Sequence, residues 1–178
     1  GFEDRNPDTV RVDLDQSFRF KDKLLELSSK FVTQNPGQLK KTITAQETAV
    51  RPVVHIDGGS LESIHNKIKE EIENSSAEKT LLFLGRYKNT RGKDGPNSIL
   101  PTLPRTGGVY PFNIDFLTIH KSKGLEADYV VVNKMTSGGW GFPSTREDDP
   151  IISLLLPASD SYPDGEERRL FYVALTRA

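Results

Sequence analysis

The stretch KTLLFLGRY, residues 79–87, is an unbroken apolar run that closes with a glycine, an arginine and a tyrosine. A strand with apolar side chains on both faces is typical of the middle of a parallel sheet, because helices cover both sides of it. IDFLTIH (114–120) and DYVVVNKM (128–135) are further apolar runs and are also predicted to be strands. Residues 79–87 therefore predict a strand that is buried on both faces of a parallel sheet.

Helical patterns alternate with these strands. Segments 20–35 and 60–75 have apolar residues three and four positions apart, as on one face of a helix. DGEERRLFYVALTRA (164–178) opens with acids that suit the positive end of a helix dipole. This alternation predicts an α/β fold with a mainly parallel sheet, in which ligands meet the loops at the carboxyl ends of the strands.

Shorter features complete the predicted organisation. Residues 1–9 are polar and are expected to be a frayed lead-in to one domain spanning 10–178. VRVDL (10–14) could form a short strand and RPVVHID (51–57) a longer one. Residues 88–112 hold four prolines and four glycines, which predicts a long loop.

Composition limits the classes of partner. A net charge of -1 in 178 residues argues against a broad basic face, so any contact with nucleic acid should be a local track. Without cysteine, the chain can form no disulfide and no thiolate metal site. No apolar run reaches membrane length, so no membrane partner is expected. Residue 1 is glycine, so we expect a part of a longer protein, with a cytoplasmic location.

Several catalytic patterns are missing. A phosphate-binding loop, G-x-x-x-x-G-K-[ST], does not occur, and RGKDG (91–95) has an aspartate where a hydroxyl is needed. Asp57 ends an apolar run, but no acid follows it to help bind Mg²⁺. No two histidines have metal-ligand spacing beside a carboxylate, so no metal site is expected. The chain alone is therefore predicted not to hydrolyse a nucleotide.

Three segments together resemble the second RecA-like motor domain, called 2A, of the UvrD/Rep-type superfamily 1 DNA helicases. They are LDQSFRF (14–20), FLTIHKSKGLEADYVVV (116–132) and EERRLFYVALTRA (166–178), in the order found in that family. FVTQNPGQLKK (31–41) resembles the helicase IV branch. The resemblance implies a RecA-like, three-layer α/β domain that lacks the phosphate loop itself.

The resemblance also implies a role in ATP hydrolysis for four residues. Phe18 would stack on the adenine, and Glu126 would bind a ribose hydroxyl. Arg19 and Arg177 would reach the γ-phosphate, where a planar guanidinium pairs with two oxygens and stays protonated. An N-terminal RecA-like domain of the same protein would supply the phosphate loop and the acids that bind Mg²⁺.

For the nucleic acid, the resemblance implies contacts from Thr118, His120 and Arg86. The partner would be single-stranded DNA or a tailed duplex, moved by a 3′-to-5′ helicase. UvrD and Rep insert a large domain, 2B, before the segment at 116–132, but residues 88–112 are too few to form one.

Some alternatives remain open at this stage. The same motor motifs would suit a helicase-like ATPase that displaces a protein such as RNA polymerase, or a degenerate scaffold without an ATP role. Lys123 could reach a phosphate or hold its loop. Trp140 and Phe142 could fix a turn against the domain, although an exposed ring there could stack on a base. Arg177, next to the last residue, is expected to lie in a poorly ordered end.

Overall fold

The computed structural model describes residues 5–10, 12, 14–19, 21–38, 42–48, 63, 66–70, 79–88, 112–146 and 162–178. The elements with defined bounds are, in chain order, β1 (Gln16–Ser17), α1 (Asp22–Val32), β2 (Thr44–Ala45), β3 (Lys79–Gly85), β4 (Phe112–Thr118), the 3₁₀ helix η1 (Ile119–Ser122), β5 (Tyr129–Val132) and α2 (Gly165–Leu175).

The larger sheet has the order β4-β3-β5, and both pairings are parallel. Its middle strand, β3, is buried from Leu81 to Gly85, which confirms the buried strand predicted within residues 79–87. Gly85 pairs with Thr118 at the end of β4. Because parallel strands end at the same edge, the segments that follow β3, β4 and β5 emerge close together.

Helix α2 packs on one face of this sheet. Leu82 and Leu84 of β3 form a buried cluster with Ile119 of η1 and with Leu170 and Ala174 of α2. Full burial of an aliphatic side chain contributes about 1.5–3 kcal/mol, so this cluster is a main source of stability for the described domain. On the other face of β3, the ring of Phe83 stacks on Phe116 of β4 at 5.1 Å between centroids.

Helix α1 packs beside α2. The rings of Phe31 and Phe171 meet edge to face at 5.1 Å. The guanidinium of Arg168 lies over the Phe31 ring at 4.5 Å and donates a hydrogen bond to Gln34. Arg168 therefore packs α2 against α1. Helix α1 ends where the amide and the hydroxyl of Thr33 both donate to the Ser29 carbonyl.

Most predicted elements within the described residues are confirmed. Both helical patterns around α1 and α2 are correct, and residues 66–70 are helical within the predicted 60–75. The chain is thus an α/β protein with parallel sheets. The 51–57 strand and nearly all of the 88–112 loop lie outside the described residues.

Two strand predictions need correction. At the described positions Val10, Val12 and Leu14 the chain is not a strand, and these side chains are exposed. The first strand is β1 instead, because Gln16 and Ser17 find a partner in β2. IDFLTIH ends its strand at Thr118, whose hydroxyl accepts a hydrogen bond from the Lys121 amide and caps η1.

Candidate functional site

Phe18, Arg19 and Glu126 border one open cavity of about 460 Å³. Phe18 and Arg19 directly follow β1, and Glu126 follows η1. Arg19 Nε donates to a carboxylate oxygen of Glu126, and the two form an ion pair across 107 positions of sequence. The Phe18 ring is 75% exposed, so its faces remain accessible from the cavity. Three of the four residues expected at an ATP site therefore lie together.

Arg177 is buried, with 7% of its surface exposed. Its Nη1 donates to the Leu125 carbonyl at 3.0 Å and to the Ser122 carbonyl at 3.5 Å. Its Nε donates to the Val173 carbonyl at 2.9 Å, and its own carbonyl accepts from the Ala127 amide. The expected poorly ordered end is therefore wrong for Arg177, because these bonds fix it between α2 and the segment after η1.

The electrostatic surroundings link Arg177 to the cavity. Burial lowers the pKa of Arg177, the positive charge of Arg19 lowers it further, and Glu126 opposes both. Arg177 thus lies within electrostatic reach of the Arg19–Glu126 pair. The sequence motifs predicted Arg19, Glu126 and Arg177 as site residues, but they did not predict the ion pair between Arg19 and Glu126. The only sequence signal for that ion pair is the opposite charge of two residues in separate motifs.

Arg86, Thr118 and His120 lie at the edge where β3 and β4 end. Thr118 lines a second cavity, of about 340 Å³, together with side chains that include Tyr87, Lys88 and Lys121. Partial burial lowers the pKa of His120, and the positive charges of Arg86 and Lys123 lower it further. The imidazole is therefore neutral at pH 7.

Glu167 of α2 is a residue that the sequence analysis did not single out. Its Oε1 accepts from Arg86 Nε at 2.8 Å, and its Oε2 accepts from the Ser144 amide at 2.9 Å. Both side chains of the Arg86–Glu167 pair are largely buried. The guanidinium of Arg86 is therefore already bound to a carboxylate, and a phosphate would have to compete with Glu167 for it.

The GGWGFP turn keeps its two aromatic residues in different environments. Phe142 is buried in the core cluster on α2, so it fixes the turn as expected. Trp140 is 57% exposed. Lys123 is exposed, and its two candidate roles, binding a phosphate or holding its loop, are both still open.

Residues 108–178 match the family model of the UvrD-like helicase C-terminal domain. This part of the chain is similar in sequence to UvrD-like helicase C-terminal domains. The match includes Glu126 and Arg177 together with Thr118 and His120, while Phe18, Arg19 and Arg86 lie outside it.

A curated relative supports the same similarity. The chain is 37% identical over 169 residues to DNA helicase IV of Escherichia coli (strain K12). The alignment covers 94% of the chain and 23% of that helicase, so the chain spans less than a quarter of its relative's length. The resemblance drawn from the motifs is thereby confirmed. No solved structure matches the chain.

The described residues also bear on two other features, a metal site and a membrane-spanning helix. In the part that the structure describes, no group of three or more histidines, cysteines or acids is arranged to hold a metal ion. Within the same residues, every helix is too short or too polar to span a bilayer.

Proposed function

We propose that this chain is the RecA-like 2A motor domain of an ATP-dependent 3′-to-5′ DNA helicase similar to DNA helicase IV. It would act within a longer protein, beside an N-terminal RecA-like domain and without a 2B insertion. The observation that carries the proposal is the Arg19–Glu126 ion pair, with Arg177 bound to the carbonyl of the neighbouring Leu125, in a chain that resembles UvrD-like helicase C-terminal domains.

The side chains around the 460 Å³ cavity fit a nucleotide. The exposed Phe18 ring offers a flat apolar face to adenine, and base–aromatic stacking contributes about 1–3 kcal/mol. The Glu126 carboxylate can accept hydrogen bonds from ribose hydroxyls. ATP supplies the phosphoryl group that is transferred to water. As the resemblance to UvrD-type helicases implies, acids of the N-terminal domain would hold Mg²⁺.

The two arginines would act on the γ-phosphate. Arg19 is paired only across an exposed surface, so a phosphate can replace Glu126 as its partner at little cost. Arg177 donates to backbone carbonyls in this structure, and reaching a phosphate requires it to give up some of these bonds. An arginine delivered by a second domain typically accelerates hydrolysis about 10³- to 10⁵-fold. Turnover would therefore depend on closure of the two motor domains.

The DNA contacts would lie at the edge formed by the ends of β3 and β4. Thr118 can donate a hydrogen bond to a phosphate, and neutral His120 can donate from its ring. Contacts of this kind read the backbone and not the bases, so binding should be independent of sequence and weaken with salt. Arg86 would join them only after it releases Glu167.

The test of the arginine roles uses the full-length helicase. Arg19→Ala should leave ATP binding within a few-fold of wild type and reduce ATP turnover by about 10³-fold or more. Arg177→Ala should have the same effect on turnover. Lys30→Ala, an exposed substitution on α1, is the matched control and should change neither quantity.

Stability measurements separate catalysis from folding. Arg177→Ala removes donors from buried carbonyls, so it should also lower the free energy of unfolding by about 1–3 kcal/mol. Arg19→Ala should not, because its ion pair is exposed. If Arg19→Ala turned over ATP within a few-fold of wild type, the role given to Arg19 would be wrong.

A further inference from the structure

Tyr87, Trp140 and Arg146 form a compact surface, named here the aromatic patch. The rings of Tyr87 and Trp140 meet at 5.3 Å with an interplanar angle of 73°. The guanidinium of Arg146 lies 4.3 Å from the centroid of the Trp140 ring and 5.9 Å from that of Tyr87. Trp140 nevertheless stays 57% exposed, so the indole retains surface for another partner.

The turn that presents Trp140 is firmly anchored. The Phe142 amide donates to the Thr136 carbonyl at 2.9 Å, and the Gly141 amide donates to the Gly138 carbonyl at 3.0 Å. A side chain at position 141 would overlap the Thr136 carbonyl, so this close approach requires glycine. The Phe142 side chain is buried in the core. Trp140 is therefore held outward by a fixed backbone.

Hydrogen bonds join the aromatic patch to the main sheet. The hydroxyls of Tyr87 and Ser144 are 2.6 Å apart, and the Ser144 amide donates to Glu167. Tyr87 lies two residues beyond β3, and Arg86 lies over its ring at 4.9 Å. The patch thus adjoins the edge that carries Thr118 and is continuous with it through Tyr87.

Cationic side chains lie in this region although the chain is close to neutral overall, and the acid Glu167 reaches it through its bonds to Arg86 and the Ser144 amide. Lys88 and Lys121 line the cavity next to Tyr87, and Arg146 lies on the patch itself. Exposed aromatic rings among cations are the features with which proteins hold single-stranded nucleic acid. The rings stack on bases and the cations pair with phosphates.

We propose that the aromatic patch is a binding subsite for single-stranded DNA, in which Trp140 stacks on one base and Arg146 pairs with an adjacent phosphate. The subsite rests on the proposed DNA-binding function and extends it. A strand bound at Thr118 would continue over Tyr87 onto Trp140. Stacking accepts any base, because every base has a π face, so the subsite should show little sequence preference.

The chain provides its own probe, because Trp140 is its only tryptophan. Titration of the chain with an oligo-dT strand should quench tryptophan emission saturably, since a stacked base deactivates the excited indole. The affinity from quenching should match that from the anisotropy of a labelled strand. A fully paired duplex of equal length should quench less, because its bases are already stacked on one another.

Two substitutions separate stacking from charge. Trp140→Ala should weaken oligo-dT binding by about 5- to 100-fold with an unchanged salt dependence, while Trp140→Phe should restore most of the affinity. Arg146→Gln should weaken binding and make the slope of log K against log salt less negative by about 0.7, the value for one contact with a single strand.

Matched controls use exposed residues of α1. Leu27→Ala removes an exposed apolar side chain, and Lys30→Gln removes one positive charge. Neither should change the affinity by more than about two-fold. Circular dichroism of each variant checks that the fold is retained.

The outcomes separate the subsite from the proposed function. If the chain binds oligo-dT without quenching and Trp140→Ala binds within two-fold of wild type, the subsite is wrong and DNA binding stands. If the wild-type chain does not bind the strand at all, the DNA contacts of this domain and the subsite both fail.

Discussion

Asp128 joins the starts of two neighbouring strands, β3 and β5. Its carboxylate accepts from Lys79 Nζ at 2.9 Å, and from the amide and the hydroxyl of Thr80 at 2.8 Å each. Burial of the carboxyl raises its pKa, but the hydrogen bonds from Thr80 and Lys79 outweigh that effect and lower the pKa to about 2. One side chain thus fixes where two strands begin.

The contact of Asp128 with Lys79 and Thr80 predicts that the stability of the fold depends on pH. The unfolded carboxyl, with its ordinary pKa of 3.8, takes up a proton before the folded one does. The stabilisation is therefore complete above about pH 4 and is lost as the pH falls toward 2. Asp128→Asn should lower the free energy of unfolding at pH 7 by about 1 kcal/mol, a value reduced for its partial exposure.

Urea unfolding across a pH series measures this effect. The difference between wild type and Asp128→Asn should shrink steadily below pH 4. Asp115→Asn, at an exposed position of β4, is the control and should follow the wild type. A constant difference down to pH 2 would contradict the role given to the Asp128 charge.

Arg177 illustrates what the sequence could and could not predict at this scale. Its place in the motif at 166–178 identified it as a candidate site residue, because the motif is specific. Its burial could not be predicted, since that depends on the carbonyls of Ser122 and Leu125, which are more than fifty positions away in sequence. Periodicity reports which face of a helix is apolar, but it does not report which distant carbonyls a guanidinium meets.

At the scale of elements, strands were predictable where the apolar run was long. Within residues 79–87, Lys79–Gly85 form the central strand, because seven residues pair with β4 on one side and four pair with β5 on the other. The prediction failed at the described positions 10, 12 and 14, because alternation over five residues does not form a strand unless a partner is available. The two-residue pairing of β1 with β2 carries no such pattern and could not be found from the sequence.

The turn between β5 and α2 yields a prediction at this scale. Gly141→Ala should lower the free energy of unfolding by about 2 kcal/mol or more, because the new methyl group overlaps the Thr136 carbonyl. Gly139→Ala is a matched control in the same turn, since its methyl group would only touch Arg146 at 3.7 Å. Urea unfolding of both variants measures the contrast, and equal stabilities would show that the turn relaxes freely.

For the whole molecule, we predict that the chain alone does not hydrolyse ATP. It carries the candidate arginines Arg19 and Arg177, but its sequence has no phosphate-binding loop. Phosphate release by the purified chain should equal the buffer background, and a protein that also carries the N-terminal motor domain should show turnover. Robust turnover by the chain alone would overturn the division of the ATP site between two domains.

At the scale of the whole molecule, the three sequence motifs predicted the resemblance to a helicase family, whereas the amino-acid composition did not. A near-neutral chain without cysteine gives no hint of a helicase, whereas three motifs in a fixed order do. What the motifs could not predict is the state of the site residues. Arg19 and Arg86 are both bound to carboxylates in the folded chain, of Glu126 and Glu167 respectively, and only the folded geometry brings these partners together.

Helix α2 has a bonded anchor near each end. Near its start, Glu167 holds Arg86 and the Ser144 amide, and just beyond its end Arg177 holds the segment after η1. The two anchors are ten positions apart, which corresponds to about 15 Å along a helix. A short helix bends little, so a tilt of α2 moves both of its ends. A tilt that frees Arg177 from the Leu125 carbonyl would therefore also strain the hydrogen bond between Arg86 and Glu167. We therefore expect a tilt of α2 to disturb both the bonds of Arg177 and the Arg86–Glu167 pair.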